Sequence, residues 1–377
     1  MSIRTIALVH DWLTGMRGGE RALEVLCERY PHAEIFTLVH IPGSVSATIE
    51  RHKIHTSFIQ RLPAVRKYYR QYLPLFPTAI EQFRFDRFDM VLSVSHCCVK
   101  SVITPKNTRH LCYCLTPMRY AWDQFDAYFG PERLGWLGSR MMRPVMAHLA
   151  KWDRETADRP ERYVAISHYV AGRIGRYYNR EASVVYPPVN TEFYRPDETA
   201  PEGFALIVSA LVPYKRIAVA IDACERAGVP LKIAGDGPER RALERYAAGR
   251  AQFLGRLSDD EIRMLYRRAS VVLLPGEEDF GIVPVEAQAC GAPVIARAIG
   301  GVLDSVVSHE TGVLYQATTD TDHVETLAGV LRDFADGAFD REAIRAHAEQ
   351  FAPGRFREGF AAFVNDVETS AGNPGPA

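Results

Sequence analysis

The chain has 377 residues, 47% of them apolar and 24% charged, which is enough to build cores for two domains of ordinary size. Its 45 Lys and Arg nearly balance its 46 Asp and Glu, so the overall charge argues against nucleic-acid binding. The seven cysteines form no CxxC pair and no regular framework, which favours reduced thiols over a zinc site. Neither a signal-peptide pattern nor a membrane-length apolar run is visible, and we expect a cytoplasmic protein.

Short apolar runs alternate with longer amphipathic segments through the first half of the chain. An amphipathic helix is predicted over residues 20–30. Buried strands are predicted at residues 6–9, 34–39, 90–94, 110–114, 163–166 and 183–186. This β-α-β alternation predicts a parallel sheet with helices on both faces.

A linker is predicted after Tyr186, where two prolines and then Val189 and Asn190 interrupt the pattern. Beyond it, strands are predicted at residues 205–208, 231–234, 252–254, 271–274 and 293–296. Helices are predicted at residues 215–227, 238–248, 259–267, 283–289, 328–335 and 343–364. We therefore expect α/β domains at 1–190 and 191–352, both Rossmann-like, then a helix at 353–369 and a disordered tail at 370–377.

The segment 277–286 carries the strongest indication of chemistry. It follows a predicted strand and opens a helix near Pro284, which would direct the backbone N–H groups of Gly281, Ile282 and Val283 at an anion. Glu278 lies in the loop, and Glu286 lies one to two turns into the helix. One carboxylate can then face a sugar and the other a ribose, with a diphosphate between them. The alternative is that the acidic residues only stabilise the helix start.

Glu278 and Glu286, with Phe280-Gly281 between them and the run 289–296 behind them, resemble the E-x7-E signature of the retaining GT-B glycosyltransferases of family 4. Two further segments fit in the same order, because 211–216 resembles the phosphate-binding Lys loop and 233–239 resembles the Gly-x-Gly-Pro loop. The resemblance implies two Rossmann-like domains facing across a cleft, with the C-terminal helix crossing back to the first domain. It also implies a metal-independent, retaining transfer from a nucleotide sugar, with no cofactor.

Carried over residue by residue, the resemblance implies catalytic roles for Glu278 and Lys215. Lys215 has its own physical case as a cation at a strand end, where it can pair with a diphosphate. The donor-binding residues implied are Gly18, Gly19, Arg216, Gly235, Gly237, Phe280, Gly281, Ile282, Val283 and Glu286. For Gly18 and Gly19, ordinary turn chemistry is the alternative.

Two positions depart from the pattern of the family. Ala210 stands where many relatives carry Arg, which removes one expected cation for the diphosphate. Leu115 stands where many relatives carry His, so no sugar-contacting histidine is expected there. Arg17 or Arg216 could supply the missing positive charge.

The stretch 116–123 resembles the Thr-Pro-x-Arg-Tyr-x-Trp-Asp segment of bacterial mannosyltransferases that build O-antigen and exopolysaccharide repeat units. It makes Arg119, Tyr120, Trp122 and Asp123 candidates for the acceptor side. The alternative is a structural loop with a Trp anchored in the core. Ser95, His96 and Lys100, at another strand end, are weaker acceptor-side candidates.

The span 51–80 holds six Lys or Arg and two His, interleaved with aromatic residues, and contains no Asp or Glu. It is typical of a surface that binds anionic lipid head groups or a lipid diphosphate. A solvated helix with a buried aromatic face explains it equally well.

Together these patterns predict a hexosyltransferase that moves mannose from GDP-mannose to a polyprenyl-diphosphate-linked glycan in surface polysaccharide synthesis, peripheral on the inner face of the cytoplasmic membrane. A UDP-sugar donor is the first alternative. The second is a degenerate scaffold that binds a nucleotide sugar or glycan, and the third is an epimerase of the same architecture.

Overall fold

The computed structural model describes residues 5–334 and 338–370. By its internal contacts the chain divides into two compact units, one made of residues 1–188 and 356–377 and the other of residues 189–355. The tail predicted to be disordered, 370–377, lies outside the described residues apart from Ser370.

The first unit is built on seven parallel strands in the order β3-β2-β1-β4-β5-β6-β7. Strands β1 to β7 span Ile6–His10, Glu34–Thr37, Ile54–Thr56, Met90–Ser95, Arg109–Cys114, Arg162–Ala165 and Ala182–Val184. Helices α1 to α8 span Gly18–Arg29, Ala47–Glu50, Val65–Tyr68, Phe76–Glu81, Arg119–Trp122, Phe125–Phe129, Pro131–Glu155 and His168–Tyr178. The interior strand β1 pairs with β2 and β4, and its residues 7–10 are all buried, as its unbroken apolar run predicts.

The edge strand β3 was not predicted from the sequence. It has three residues, Ile54, His55 and Thr56, and pairs only with β2. Because an edge strand of this length carries no alternation and is partly solvated, its sequence does not distinguish it from a loop.

The second unit is built on six parallel strands in the order β10-β9-β8-β11-β12-β13. Strands β8 to β13 span Ala205–Val208, Leu231–Ala234, Gln252–Gly255, Val271–Leu274, Val294–Arg297 and Gly312–Tyr315. Helices α9 to α15 span Ile217–Ala227, Arg240–Ala247, Asp259–Arg268, Ile282–Ala289, Val302–Ser305, Asp320–Asp333 and Arg341–Ala348. Strand β13, at the other edge of this sheet, was also missed.

The single helix predicted over residues 343–364 is wrong. The segment forms α15 and then α16, Pro353–Ser370, separated by one short turn at Glu349–Phe351. Pro353 begins the second helix, because its ring fixes the backbone for a first turn and cannot continue a preceding helix. From Phe356 onward α16 belongs to the first unit, where Phe356 and Phe360 pack on Tyr113 with ring centroids 5.4 and 6.1 Å away.

All seven cysteines are free and buried, as the sequence predicted for reduced thiols. No helix in residues 5–334 and 338–370 is both long and apolar enough to cross a bilayer. Two Rossmann-like units are thus present, as predicted.

Candidate active site

Lys215 lies in the loop that follows β8. The sequence placed it at the start of a helix, which is wrong: Pro213–Lys215 forms a single 3-10 turn, Arg216 is left-handed with φ 54°, and α9 begins only at Ile217. The ammonium group of Lys215 therefore sits at the carboxyl end of the strand rather than on a helix face. It donates a hydrogen bond to the carboxylate of Glu278, and both side chains are mostly buried.

Glu278 is held by the backbone of the loop that follows β12. The N–H of Gly301 donates to the carbonyl oxygen of Glu278 at 2.7 Å, and Gly300 pairs with Glu278 as an isolated β-bridge. Gly300 has φ +82°, and a Cβ there would lie 2.4 Å from the same oxygen. Only glycine fits this position without moving Glu278. Sequence reasoning missed Gly300 and Gly301, although a Gly pair directly after a buried strand was a usable signal.

Helix α12 begins after Gly281, which has φ 86°. Ile282 and Val283 form the start of its first turn, where backbone N–H groups have no partner within the helix. Pro284 lies in the same turn, as predicted. A helix start of this kind attracts an anion through its N–H groups and dipole. Phe280 instead turns inward, almost fully buried, with its ring 5.5 Å from that of Phe351.

Glu286 lies on α12 and is buried. The hydroxyl of Tyr266, on α11, donates to its carboxylate at 3.1 Å. Burial, reinforced by the charge of Glu286, raises the pKa of Tyr266 well above its ordinary value, so the phenol stays a donor. The apolar surroundings of Glu286 predicted that it needs a partner, and Tyr266 is one that the sequence did not identify.

Gly235 and Gly237 allow the loops after β8 and β9 to touch. A Cβ on Gly235 would lie 1.8 Å from the carbonyl oxygen of Ser209, and one on Gly237 would lie 2.3 Å from that of Leu211. The N–H of Leu211 in turn donates to the carbonyl of Asp236 at 3.0 Å. These glycines are thus required by packing, and their predicted contact with the donor stays a prediction.

Arg216 points away from the Lys215–Glu278 pair. Its guanidinium donates to Asp320 at 2.7 Å on an exposed surface. Its predicted donor contact also stays a prediction.

In the first unit, Gly18 and Gly19 begin α1, and Gly19 is the crowded one. A Cβ on Gly19 would lie 2.6 Å from Cδ1 of Leu115 and 3.2 Å from Cε1 of His10. Leu115, the departure from the family pattern, therefore packs directly against this glycine. A Cβ at position 19 would therefore require the end of the Leu115 side chain to shift, whether or not a ligand approaches.

His10 and Asp11, at the end of β1, form a polar cluster that the sequence analysis did not single out. Asp11 accepts hydrogen bonds from the backbone N–H groups of residues 96–99 at 2.7–3.1 Å. His10 lies 3.7 Å from Glu20, and its ring Nδ1 donates a hydrogen bond to the carbonyl oxygen of Val94 at 3.0 Å. Burial alone would lower the pKa of His10, but Glu20 and Asp11 outweigh it and the pKa is raised. The sequence feature that could have predicted this cluster is the polar pair His10 and Asp11 at the end of an apolar strand.

Asp11, Cys97 and Cys98 also lie close enough together to hold a metal ion. Both oxygens of Asp11 are already committed to four backbone N–H groups, and Cys97 accepts from the hydroxyl of Tyr120 at 2.7 Å. The group therefore fits a structural turn better than a metal. Among the described residues of the second unit no such group is found.

The four acceptor-side candidates are largely engaged within the first unit. Trp122 stacks on Tyr177 at 4.7 Å and donates from Nε1 to Asp153 at 2.8 Å. Asp123 accepts from Tyr177 and Arg173. Arg119, on the same short helix, also has a partner. These contacts match the structural alternative, and the acceptor role stays a prediction.

The sequence of the chain is similar to those of known glycosyltransferases. Residues 190–349 match the family model "Glycosyl transferases group 1". An uncharacterized glycosyltransferase of Methanocaldococcus jannaschii is 29% identical over 46% of this chain and 50% of its own length. A D-inositol 3-phosphate glycosyltransferase of Mycolicibacterium paratuberculosis is 32% identical over 52% of this chain and 48% of its own. The matches thus span about half the length of these curated relatives.

Solved structures cover nearly the whole chain. Anabaena HepE in complex with UDP superposes with a TM-score of 0.66, at 16% identity, over 96% of this chain and 100% of its own. Sucrose-phosphate synthase from Thermosynechococcus elongatus gives a TM-score of 0.68, at 15% identity, over 97% and 100%. Residues 190–349 are therefore similar to the glycosyl transferases group 1 family, and the two Rossmann-like units of the chain match solved structures of the GT-B fold.

Proposed function

We propose that the chain is a glycosyltransferase that moves a sugar from a nucleotide diphosphate donor bound by its second unit. The observation that carries the proposal is the Lys215–Glu278 ion pair in the same loop region as the start of α12, within the group 1 domain. A cation and a helix N-terminus together suit a diphosphate.

Each side chain has a separate task in this proposal. Lys215 and the first-turn N–H groups of Ile282 and Val283 stabilise the departing diphosphate. Glu278 orients the sugar, and Glu286, fixed by Tyr266, holds the ribose. Binding each group in one geometry lowers the barrier by orientation as well as by charge.

Transfer proceeds without a metal and with retention of the anomeric configuration. A cation from a side chain takes the place that a metal holds in other phosphate sites, since Lys215 reaches the loop end of the strand. The transition state is oxocarbenium-like, as in other glycosyl transfers. No side chain near Glu278 is proposed as a covalent nucleophile, so acceptor and leaving group share one face of the sugar.

The donor that we propose is GDP-mannose, on the strength of the resemblance of residues 116–123 to bacterial mannosyltransferases. A UDP-hexose is the second candidate. It is favoured by the similarity to HepE, whose structures include complexes with UDP and with UDP-glucose. The acceptor that we propose is a glycan on a polyprenyl diphosphate, which requires work at a membrane surface.

The test is thermal stabilisation by a panel of nucleotide sugars, followed by turnover. A donor that binds the native state raises Tm in proportion to the logarithm of its concentration over Kd. We expect GDP-mannose to give the largest shift, and a larger shift with UDP-glucose would replace it as donor. Stabilisation without donor hydrolysis or transfer would point to a binding scaffold instead.

Two further readouts test the mechanism. Turnover in excess EDTA should equal that in its absence, and loss of activity would contradict metal independence. NMR of the product anomeric proton should show the configuration of the donor, and an inverted product would rule out retention.

A further inference from the structure

The outer face of α7 carries an unusual concentration of exposed apolar side chains. Of the twelve large apolar residues that are exposed in the described part of the chain, four lie between positions 134 and 141. Trp136, Leu137 and Met141 are 69%, 63% and 66% exposed, more than any of the other nine. A concentration of exposed apolar side chains such as this one is typical of a binding site.

The backbone of α7 is kinked at Gly135 (φ 69°, ψ 167°), and from Trp136 onward the helix carries apolar residues on two opposite sides. Its inner side, with Met142, Val145, Met146 and Leu149, packs into the hydrophobic core of the first unit. Leu137 and Met141 stand four positions apart on the outer side, so they form one stripe. Apolar residues thus cover both sides of α7, and only one side has a core to pack against.

Arginines flank the exposed stripe. Arg133, Arg140 and Arg143 are all exposed, and Glu132 is the single acidic residue within residues 131–145, while Arg143 pairs with Asp126 of α6 at 3.4 Å. The guanidinium of Arg140 lies 5.8 Å from the ring centroid of Trp136. Long basic side chains beside a Trp are typical of helices at a membrane interface, where the charge reaches head groups and the ring lies at the acyl boundary.

A second basic surface flanks the same core. Arg61, Arg66, Lys67 and Arg70 are exposed, and the span 51–80 contains no acid. Its buried side chains belong to the core cluster that also receives the inner face of α7. Trp152 of α7 donates to Glu81 of α4 at 3.1 Å, which ties the two segments together.

We propose that the outer face of α7 docks on an anionic lipid bilayer. Trp136, Leu137 and Met141 enter the boundary between head groups and acyl chains, while Arg133 and Arg140 contact lipid phosphates. Charge decides for a bilayer over a second copy of this chain, because two copies meeting by this face would bring arginines against arginines.

The inference rests on the proposed function only for its membrane-borne acceptor. Vesicle binding is measured without donor or acceptor. A failure to bind vesicles would therefore not count against the proposed glycosyl transfer. Equally, loss of transferase activity would not remove the exposed patch.

Tryptophan emission is a direct probe, because Trp136 is the one exposed tryptophan among the four in the sequence, and Trp12, Trp122 and Trp152 are buried or half-buried. Phosphatidylcholine vesicles that contain phosphatidylglycerol should shift the emission to shorter wavelength, whereas pure phosphatidylcholine should not. Acyl-chain-brominated lipid should quench it. The variant Trp136→Phe should sediment with the vesicles but lose both signals.

Matched variants separate the apolar and charged contributions. The combined change Trp136→Ser, Leu137→Ser, Met141→Ser should weaken vesicle partitioning at least tenfold. The control Ile103→Ser, Met264→Ser replaces two other exposed apolar residues and should leave it unchanged. Arg133→Gln and Arg140→Gln should each weaken binding to the anionic vesicles by roughly fivefold. Circular dichroism checks that each variant is folded.

Unchanged partitioning of the triple Ser variant would overturn the proposal. So would wild-type self-association, seen by sedimentation velocity, that the triple variant abolishes while vesicle binding persists. In that case a second copy covers the face.

Discussion

The ammonium group of Lys215 and the carboxylate of Glu278 form an ion pair across 63 positions of sequence. They meet because β8 and β11 are neighbours in the sheet, so the loops at their carboxyl ends adjoin. Each charge neutralises the other in this structure. A bound diphosphate would compete with Glu278 for Lys215 and so release the carboxylate toward the sugar.

Removal of either member of this pair should reduce turnover far more than stability. We expect Lys215→Ala and Glu278→Gln each to lower kcat by about 10²–10³, the effect of losing one preorganised charge partner in a transition state. Steady-state rates with the donor found by thermal shift provide the measurement. Lys151→Ala is the control, since Lys151 pairs with Glu155 on the exposed surface of α7.

The double change Lys215→Ala, Glu278→Gln should cost little more than either single change, because the two side chains act together. Full turnover in both single variants would refute the site. Arg216→Ala should have a smaller effect than Lys215→Ala, since its guanidinium is bound to Asp320.

Loss of the Tyr266 hydroxyl should weaken donor binding without slowing chemistry. Tyr266→Phe leaves Glu286 without this hydrogen bond, and we expect the donor KM to rise about tenfold with kcat nearly unchanged. Tyr246→Phe is a matched control, because that hydroxyl also donates to a carboxylate, Asp222, but at the surface of the same unit. Equal effects of the two changes would argue that Glu286 does not hold the nucleoside.

A methyl group at Gly300 should displace Glu278. Gly300→Ala places a Cβ 2.4 Å from the Glu278 carbonyl oxygen and imposes a left-handed backbone on alanine. We expect about 1–3 kcal/mol of destabilisation and a loss of turnover. Gly329→Ala, inside α14 with open space around it, should instead stabilise by up to about 1 kcal/mol. Thermal unfolding and kcat of both variants decide the matter.

His110 should make the first unit less stable in acid. Burial and the charge of Lys100 lower the pKa of His110 to about 3 from 6.5. His110 of the unfolded chain then binds a proton near pH 6.5, whereas in the folded chain it stays neutral until about pH 3. The free energy of unfolding therefore falls as the pH drops from about 6.5 toward about 3. Between about pH 6.5 and about pH 5, His110 should lower the free energy of unfolding by about 2 kcal/mol.

The measurement that checks this is urea unfolding at several pH values, with tryptophan emission as the signal of unfolding. All four Trp lie in the first unit, so the signal reports the unit that holds His110. His110→Gln should flatten the pH dependence over this range. An identical dependence in wild type and variant would show that His110 titrates normally in the folded state.

The sequence was sufficient to predict the two parallel sheets, because their central strands are unbroken apolar runs flanked by amphipathic helices. It missed β3 and β13, short edge strands with polar or glycine residues, since periodicity is weak over three or four positions. It also marked Glu278, Glu286 and Lys215 as candidate site residues, through their place in the chain and their resemblance to the family 4 motifs, and their roles stay predictions.

Contacts between distant residues required the tertiary structure. The order of the strands in the sheet brings Lys215 to Glu278, and it also brings the glycine loop after β12 into contact with Glu278. No local sequence pattern encodes that order. The same holds for Tyr266 and Glu286, which face each other only because α11 packs on α12.

The sequence by itself determined the central strands of both sheets, the amphipathic helices between them and the residue types at the strand ends, because these depend on near neighbours. The tertiary structure alone decided what each side chain meets. In the folded chain Trp122 stacks on Tyr177, Phe280 is buried in the core, and Trp136 is exposed on α7. Aromatic residues on amphipathic segments look alike in sequence, and only the packing of whole elements determines which of them are covered.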